Sequence, residues 1–105
     1  MKKPVNHKTF GEQIRYLRES SRLTLRGLSV RLEIDPSLLA KIEKNKRKPT
    51  KNFIKNIAVV FNVNEKLLLN EFLSDQIAYK ILEEDAESDI LQVAEEKVNY
   101  YRSLK

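Results

Sequence analysis

The sequence predicts an all-α fold, five helices extended by a C-terminal helical hairpin, and three observations carry that prediction. Apolar residues recur at i, i+3, i+4 and i+7 through most of the chain. Thr, Asp or Ser stands ahead of most of those stretches, where helix N-caps belong. No alternating strand pattern, internal repeat or low-complexity tract interrupts them.

Taken in order, Thr9 caps a first helix running to about Ser20. Glu12 completes a capping box, and Phe10, Ile14 and Leu17 form its stripe. Thr24 caps a second, with Leu25, Leu28, Ser29 and Leu32 on one side. Glu33 and Ile34 form a tight turn into Asp35-Pro36, an N-cap followed by proline at the first helical position, where its missing N–H costs nothing. The third helix, about residues 35–45, turns Leu39 and Ile42 inward and leaves Ser37, Leu38, Ala40, Lys41 and Lys44 on or near its outer face. Thr50 caps a fourth helix through Phe61, with Phe53, Ile54, Ile57, Ala58 and Phe61 along one side. After Asn62-Val63-Asn64, a longer fifth helix from about Glu65 to Glu83 carries Leu68, Leu69, Phe72, Leu73, Ile77 and Ile81. The acidic run Glu83-Glu84-Asp85-Ala86-Glu87 leads to Ser88, the expected cap of a last helix holding Ile90, Leu91, Ala94, Val98 and Tyr101.

Composition narrows the function classes. At 105 residues the chain is one domain, or one with an appendage, and a core this small gains from oligomerisation. It has no cysteine, so no disulfide frame, thiolate metal site or cysteine nucleophile. The single histidine, His7, has no carboxylate near it in sequence, which argues against proton-transfer catalysis. Glu83, Glu84, Asp85, Glu87 and Asp89 lack the glycine and ligand rhythm of a calcium loop. Gly11 and Gly27 alone make no glycine-rich phosphate cradle; a close backbone approach is the one account of Gly27 inside its helix. No enzyme, metal or cofactor is expected. The N-terminal run lacks an apolar signal region and nothing approaches a membrane span, so a cytoplasmic address is the expectation.

Charge is divided along the chain. Residues 1–56 hold 15 Lys/Arg against 5 Asp/Glu, net +10, whereas residues 57–105 hold 5 against 10, net −5. A basic half of this kind suits a phosphate backbone, with the acidic half turned away from it.

Residues 9–70 resemble the phage repressor and Cro type of helix-turn-helix regulator, the XRE family. Leu23-Thr24, Leu28-Ser29, Asp35-Pro36-Ser37, Ile42-Glu43 and Lys46-Arg47-Lys48-Pro49 carry the likeness at matching spacing. The chain departs from that pattern at four places. Leu25 stands where Gln is common, Glu33 where Gly is frequent, Ala40 where Ser is frequent and Asn45 where Gly closes the recognition helix. Asn tolerates the left-handed conformation needed there. A DNA contact from the family's Gln is not carried over to Leu25.

The resemblance implies a double-stranded DNA reader whose third helix enters the major groove. Ser37 and Lys41 match the family's base-reading positions, Lys41 suiting guanine O6/N7; Leu38 and Ala40 are positioned for a thymine methyl. Lys44, Lys46, Arg47 and Lys48, at and beyond the helix end, suit phosphate, as does Arg26 in the first turn of the preceding helix. Arg18 and Glu43 occupy the places of the family's structural ion pair. Compact controller proteins of restriction-modification systems and small phage repressors share this scale.

Domain organisation follows as a flexible basic arm (1–8), the helix-turn-helix domain (9–70) and a C-terminal helical extension (71–105). The extension is too small to hide both its apolar stripes. Phe72, Leu73, Ile77, Ile81, Ile90, Leu91, Ala94, Val98 and Tyr101 are therefore expected at a homodimer interface, setting two recognition helices on a palindromic operator. The rival expectation is a protein-interaction module, such as an antitoxin or a partner-dependent regulator, using the same C-terminal helices.

Overall fold

The computed structural model describes residues 8–105; His7 and the rest of the basic arm before Lys8 lie outside them. Six helices follow one another: α1 (Phe10–Ser20), α2 (Leu25–Leu32), α3 (Pro36–Glu43), α4 (Lys51–Phe61), α5 (Glu65–Glu83) and α6 (Ile90–Ser103). No helix among the described residues is long and apolar enough to cross a membrane.

Local chemistry explains where the first four helices begin. The side chains of Thr9, Thr24, Asp35 and Thr50 accept from the backbone N–H of Glu12, Gly27, Ser37 and Phe53, and Thr9 with Glu12 forms a reciprocal capping box. α6 begins differently: Asp89, not Ser88, holds the N-cap place, and its side chain makes no capping bond. Helices α1 to α5 all end in a left-handed residue, namely Arg22, Glu33, Asn45, Asn62 and Asp85, none of them glycine.

The chain divides into two compact units, the first ending at Asp75 and the second covering Gln76–Lys105. In the first unit, α1 and α2 pack on α3, and α2 packs on α4. Ile14, Leu28, Leu39, Ile57 and Leu68 are completely enclosed. Each contributes about 1.5–3 kcal/mol by leaving water. Phe72, counted by periodicity among the dimer contacts, instead packs within this unit. Its ring meets Phe10 edge-on, centroids 5.6 Å apart, so the stripe of α5 is partly satisfied inside the monomer.

The second unit comprises the end of α5, an acidic turn and α6. α6 has no buried residue. Leu73 at the edge of the first unit, and Ile77, Ile90, Leu91, Ala94, Val98 and Tyr101 in the second, are exposed, while Ile81 is half-buried. Leu82, Val93, Tyr100 and Leu104 add further exposed apolar surface beyond the stripe read from sequence.

Candidate nucleic-acid interface

α3 presents two chemically opposite faces. Leu39, Ile42 and Glu43 are buried, whereas Ser37, Lys41 and Lys44 are exposed. A 3.6-residue period puts Ser37, Lys41 and Lys44 on one side. Lys46, Arg47 and Lys48, immediately past the helix, are exposed too, as is Arg26 in the first turn of α2. Among the expected base contacts, Leu38 is half-buried against the core, so only part of its side chain remains for a ligand. Ala40 lines a hollow between α1, α2 and α3, together with Arg15, Arg18, Leu25, Glu43 and Lys44. Leu25 itself is half-buried on the core, which accounts for an apolar side chain where a polar one is common.

Ser37 has a second duty that limits its hydrogen bonding. Asp35 Oδ1 accepts from both the Ser37 backbone N–H and its hydroxyl, each at 2.8 Å. These bonds, the backbone one first, lower the Asp35 carboxyl below its ordinary value, and Lys41 adds to the effect. With its proton committed to Asp35, the Ser37 hydroxyl is left as an acceptor. Among the described residues, no side chain accepts from the exposed Lys41 ammonium.

Glu43 lies inside this basic face yet does not oppose it, because Arg18 neutralises it. Arg18 Nε donates to Glu43 Oε2 at 2.8 Å and Nη2 to Oε1 at 3.1 Å, a two-pronged pair with side chains 11% and 5% exposed. Arg18 Nη1 also donates to the Leu23 carbonyl at 3.0 Å. The carboxylate raises the Arg18 pKa further, against the opposing effect of burial. The pair ties the end of α1 to the end of α3.

The start of α1 is tied to the same helix by residues that periodicity does not reveal. Gly11 donates its N–H to Asn45 Oδ1 at 3.0 Å, and Asn45 Nδ2 donates to Thr9 Oγ1 at 2.8 Å. A Cβ on Gly11 would stand 2.5 Å from the carbonyl oxygens of both Ile42 and Glu43. The close approach thus belongs to Gly11. At Gly27 a Cβ would meet only the Thr24 hydroxyl at 3.2 Å and a Leu23 methyl at 3.7 Å. The signal for Gly11 was its place one residue into a helix that has a complete cap of its own.

Residues 11–72, more than half the chain, match the family described as a helix-turn-helix domain. The chain belongs to that family, in its phage repressor and Cro branch of DNA-binding transcriptional regulators. No curated protein sequence matches it. Among solved structures, SinR, the master regulator for biofilm formation, in complex with DNA, is 26% identical over 58% of this chain and 98% of its own, with a TM-score of 0.53. A complex of the SinR and SinI proteins is 18% identical over 90% of this chain and 99% of the other, TM-score 0.55. The clp gene regulator ClgR from Corynebacterium glutamicum is 19% identical over 91% of this chain and 97% of its own, TM-score 0.56. These last two share the fold. In this helix-turn-helix chain α2 and α3 are the motif's helices, α1 and α4 their support, and α5 continues past the matched segment.

Proposed function

We propose that the chain is a sequence-specific double-stranded DNA-binding regulator, acting as a homodimer on a palindromic operator with α3 in the major groove. The observation carrying this reading is the exposed basic run Lys41, Lys44, Lys46, Arg47 and Lys48 along and just past α3, on a helix whose other side is buried. Lys41 donates to a base edge, and Ser37 accepts from an exocyclic amine such as that of adenine or cytosine. Ala40 and the open part of Leu38 meet a thymine methyl. Lys44, Lys46, Arg47, Lys48 and Arg26 hold phosphates. The DNA complex of SinR supports the same use of this fold.

The homodimer rests on the second unit. A helical extension with this much exposed apolar surface, Ile77, Ile90, Leu91, Val98 and Tyr101 among it, is stable when another surface covers it. A two-fold dimer through that surface carries two α3 helices, and a palindromic operator offers them two half-sites about 34 Å apart, one turn of DNA. A second reading, in which a partner protein covers α6, is favoured by the additional Val93, Tyr100 and Leu104, more apolar surface than one stripe supplies.

Selection of bound duplex from a random pool tests the DNA reading, with titration of the winner against scrambled duplex at two salt concentrations. A palindromic motif preferred by about a thousandfold is expected. Alanine at Lys41 should erase preference at one position. Alanine at Lys46, Arg47 or Lys48 should weaken all sequences alike and lower the salt slope by about 0.9 each. No motif, with weak salt-governed binding alone, would overturn the reading. Sedimentation at micromolar concentration then separates homodimer from a monomer awaiting a partner.

A further inference from the structure

The first turn of a helix has backbone N–H groups with no partner inside the helix, and they usually go to the cap or to water. In α1 two of them go to distant residues, one on α5 and one in the turn that closes α3. The Phe10 N–H donates to Asp75 Oδ2 on α5 at 2.7 Å, and the Gly11 N–H donates to Asn45 Oδ1 at 3.0 Å. The next, from Glu12, is taken by Thr9 Oγ1, which also accepts from Asn45 Nδ2. One turn before Asp75, Glu71 Oε2 accepts from the buried Gln13 side chain at 2.9 Å. The first turn of α1 is therefore where the end of α3 and the middle of α5 are both fastened.

We infer that Asn45 and Asp75 are positioning residues for DNA recognition, fixing the recognition helix through the first turn of α1 without touching DNA. This rests on the reading of α3 as the base-reading helix. Asn45 acts directly, its amide bridging two groups of that turn. Asp75 acts through the turn: its carboxylate meets the positive end of the α1 dipole and holds the Phe10 N–H. Close backbone approach at Gly11 leaves no slack, since a Cβ there would overlap the last carbonyls of α3. A shift of the turn is thus passed to α3. Base contacts depend on that angle, whereas phosphate contacts from flexible cations tolerate it, so loss of either residue should reduce specificity more than overall DNA affinity.

The experiment measures affinity of the full chain for its selected operator and for scrambled duplex, well below the melting temperature, in wild type, Asn45→Gly, Asp75→Ala and Asp75→Asn. Glycine keeps the left-handed backbone of residue 45 and removes only the side-chain bonds. Operator affinity is expected to fall about fivefold in Asn45→Gly and Asp75→Ala, within the range by which residues that do not touch a ligand alter its binding. Scrambled-duplex affinity and the salt slope should hold, and Asp75→Asn, which keeps an acceptor oxygen, should recover most of the loss. A role as a repelling charge predicts the reverse, tighter binding of both duplexes by Asp75→Ala. That result, equal loss on both duplexes, or unchanged operator affinity overturns the proposal. Should Asp75→Ala not fold, Asn45→Gly and Asp75→Asn are read by the same outcomes. Failure of wild type to prefer any operator would be a failure of the DNA reading itself, visible before any variant is made, and would take this proposal with it.

Discussion

Replacing Glu43 by alanine should destabilise the first unit by several kcal/mol, because it strands a buried charge. Arg18 meets Glu43 through Nε and Nη2 at 2.8 and 3.1 Å, with the two side chains 11% and 5% exposed. Truncation leaves the guanidinium with the Leu23 carbonyl as its remaining partner. Breaking a buried pair from one side costs about 3–5 kcal/mol, and the surviving bond to Leu23 favours the lower end. At roughly 4–8 °C per kcal/mol for a domain of this size, Tm should fall by at least about 12 °C in a circular-dichroism melt at neutral pH. The companion variant removes both charges, Arg18→Met with Glu43→Leu. Apolar replacement of a whole buried pair is often neutral or stabilising by about 1–4 kcal/mol, so the double variant should melt well above the single one. An unchanged Tm in Glu43→Ala would refute the burial argument. A double variant no better than the single would show that the loss came from packing rather than from the stranded charge.

Gly11→Ala should cost about 1–3 kcal/mol in urea unfolding, since the new methyl overlaps two backbone carbonyls, and clearly more than Gly27→Ala, whose methyl meets only side-chain atoms. Glu33→Gly should raise the unfolding free energy by about 0.5–1 kcal/mol, read as a higher urea midpoint at unchanged slope, relieving an exposed residue held at φ 57°. The Glu12 carboxyl is held below its ordinary 4.5 by the Thr9 hydroxyl and backbone, and Asp35 below 3.8 by the Ser37 N–H and hydroxyl. Both lowered groups stabilise the fold fully above those ordinary values, and the contribution is lost as pH falls through the folded-state values. Melting temperature should therefore decline below about pH 4.5, more steeply in wild type than in Glu12→Gln or Asp35→Asn.

What sequence revealed and what it hid divide by distance along the chain. Helix starts at Thr9, Thr24, Asp35 and Thr50 depend on a side chain reaching two or three residues ahead, and such local chemistry is written in the order of residues. The exposed cations after α3 were legible for the same reason. The bonds from Phe10 to Asp75 and from Gln13 to Glu71 span 65 and 58 residues, and no spacing rule connects such positions. Phe72 shows the limit of periodicity within one helix. It lies four residues after the fully buried Leu68, so its stripe was visible, but whether that stripe met Phe10 or a second molecule was not. Gly11 has no signature in the spacing of residues, because a glycine's contacts belong to whatever packs on it.

The helix ends tie these observations together. After each of α1 to α5, the left-handed residue donates its N–H three residues back, and the next residue donates five back: Arg22 and Leu23, Glu33 and Ile34, Asn45 and Lys46, Asn62 and Val63, Asp85 and Ala86. This turn commonly adds an apolar contact from its second residue to the helix it closes. Leu23, Ile34, Val63 and Ala86 are apolar and at least half-buried, whereas Lys46, at the end of α3, is charged and exposed. The helix facing the proposed ligand is thus the one whose closing turn lacks an apolar anchor. Asn45 supplies a different one, its side chain fastening the turn to Thr9 and Gly11. A glycine at that place would adopt the same backbone conformation but could make neither bond. Asn in place of the family's common glycine is therefore more than a tolerated substitution: it holds the end of α3 while Lys46 stays exposed, as its proposed phosphate contact requires.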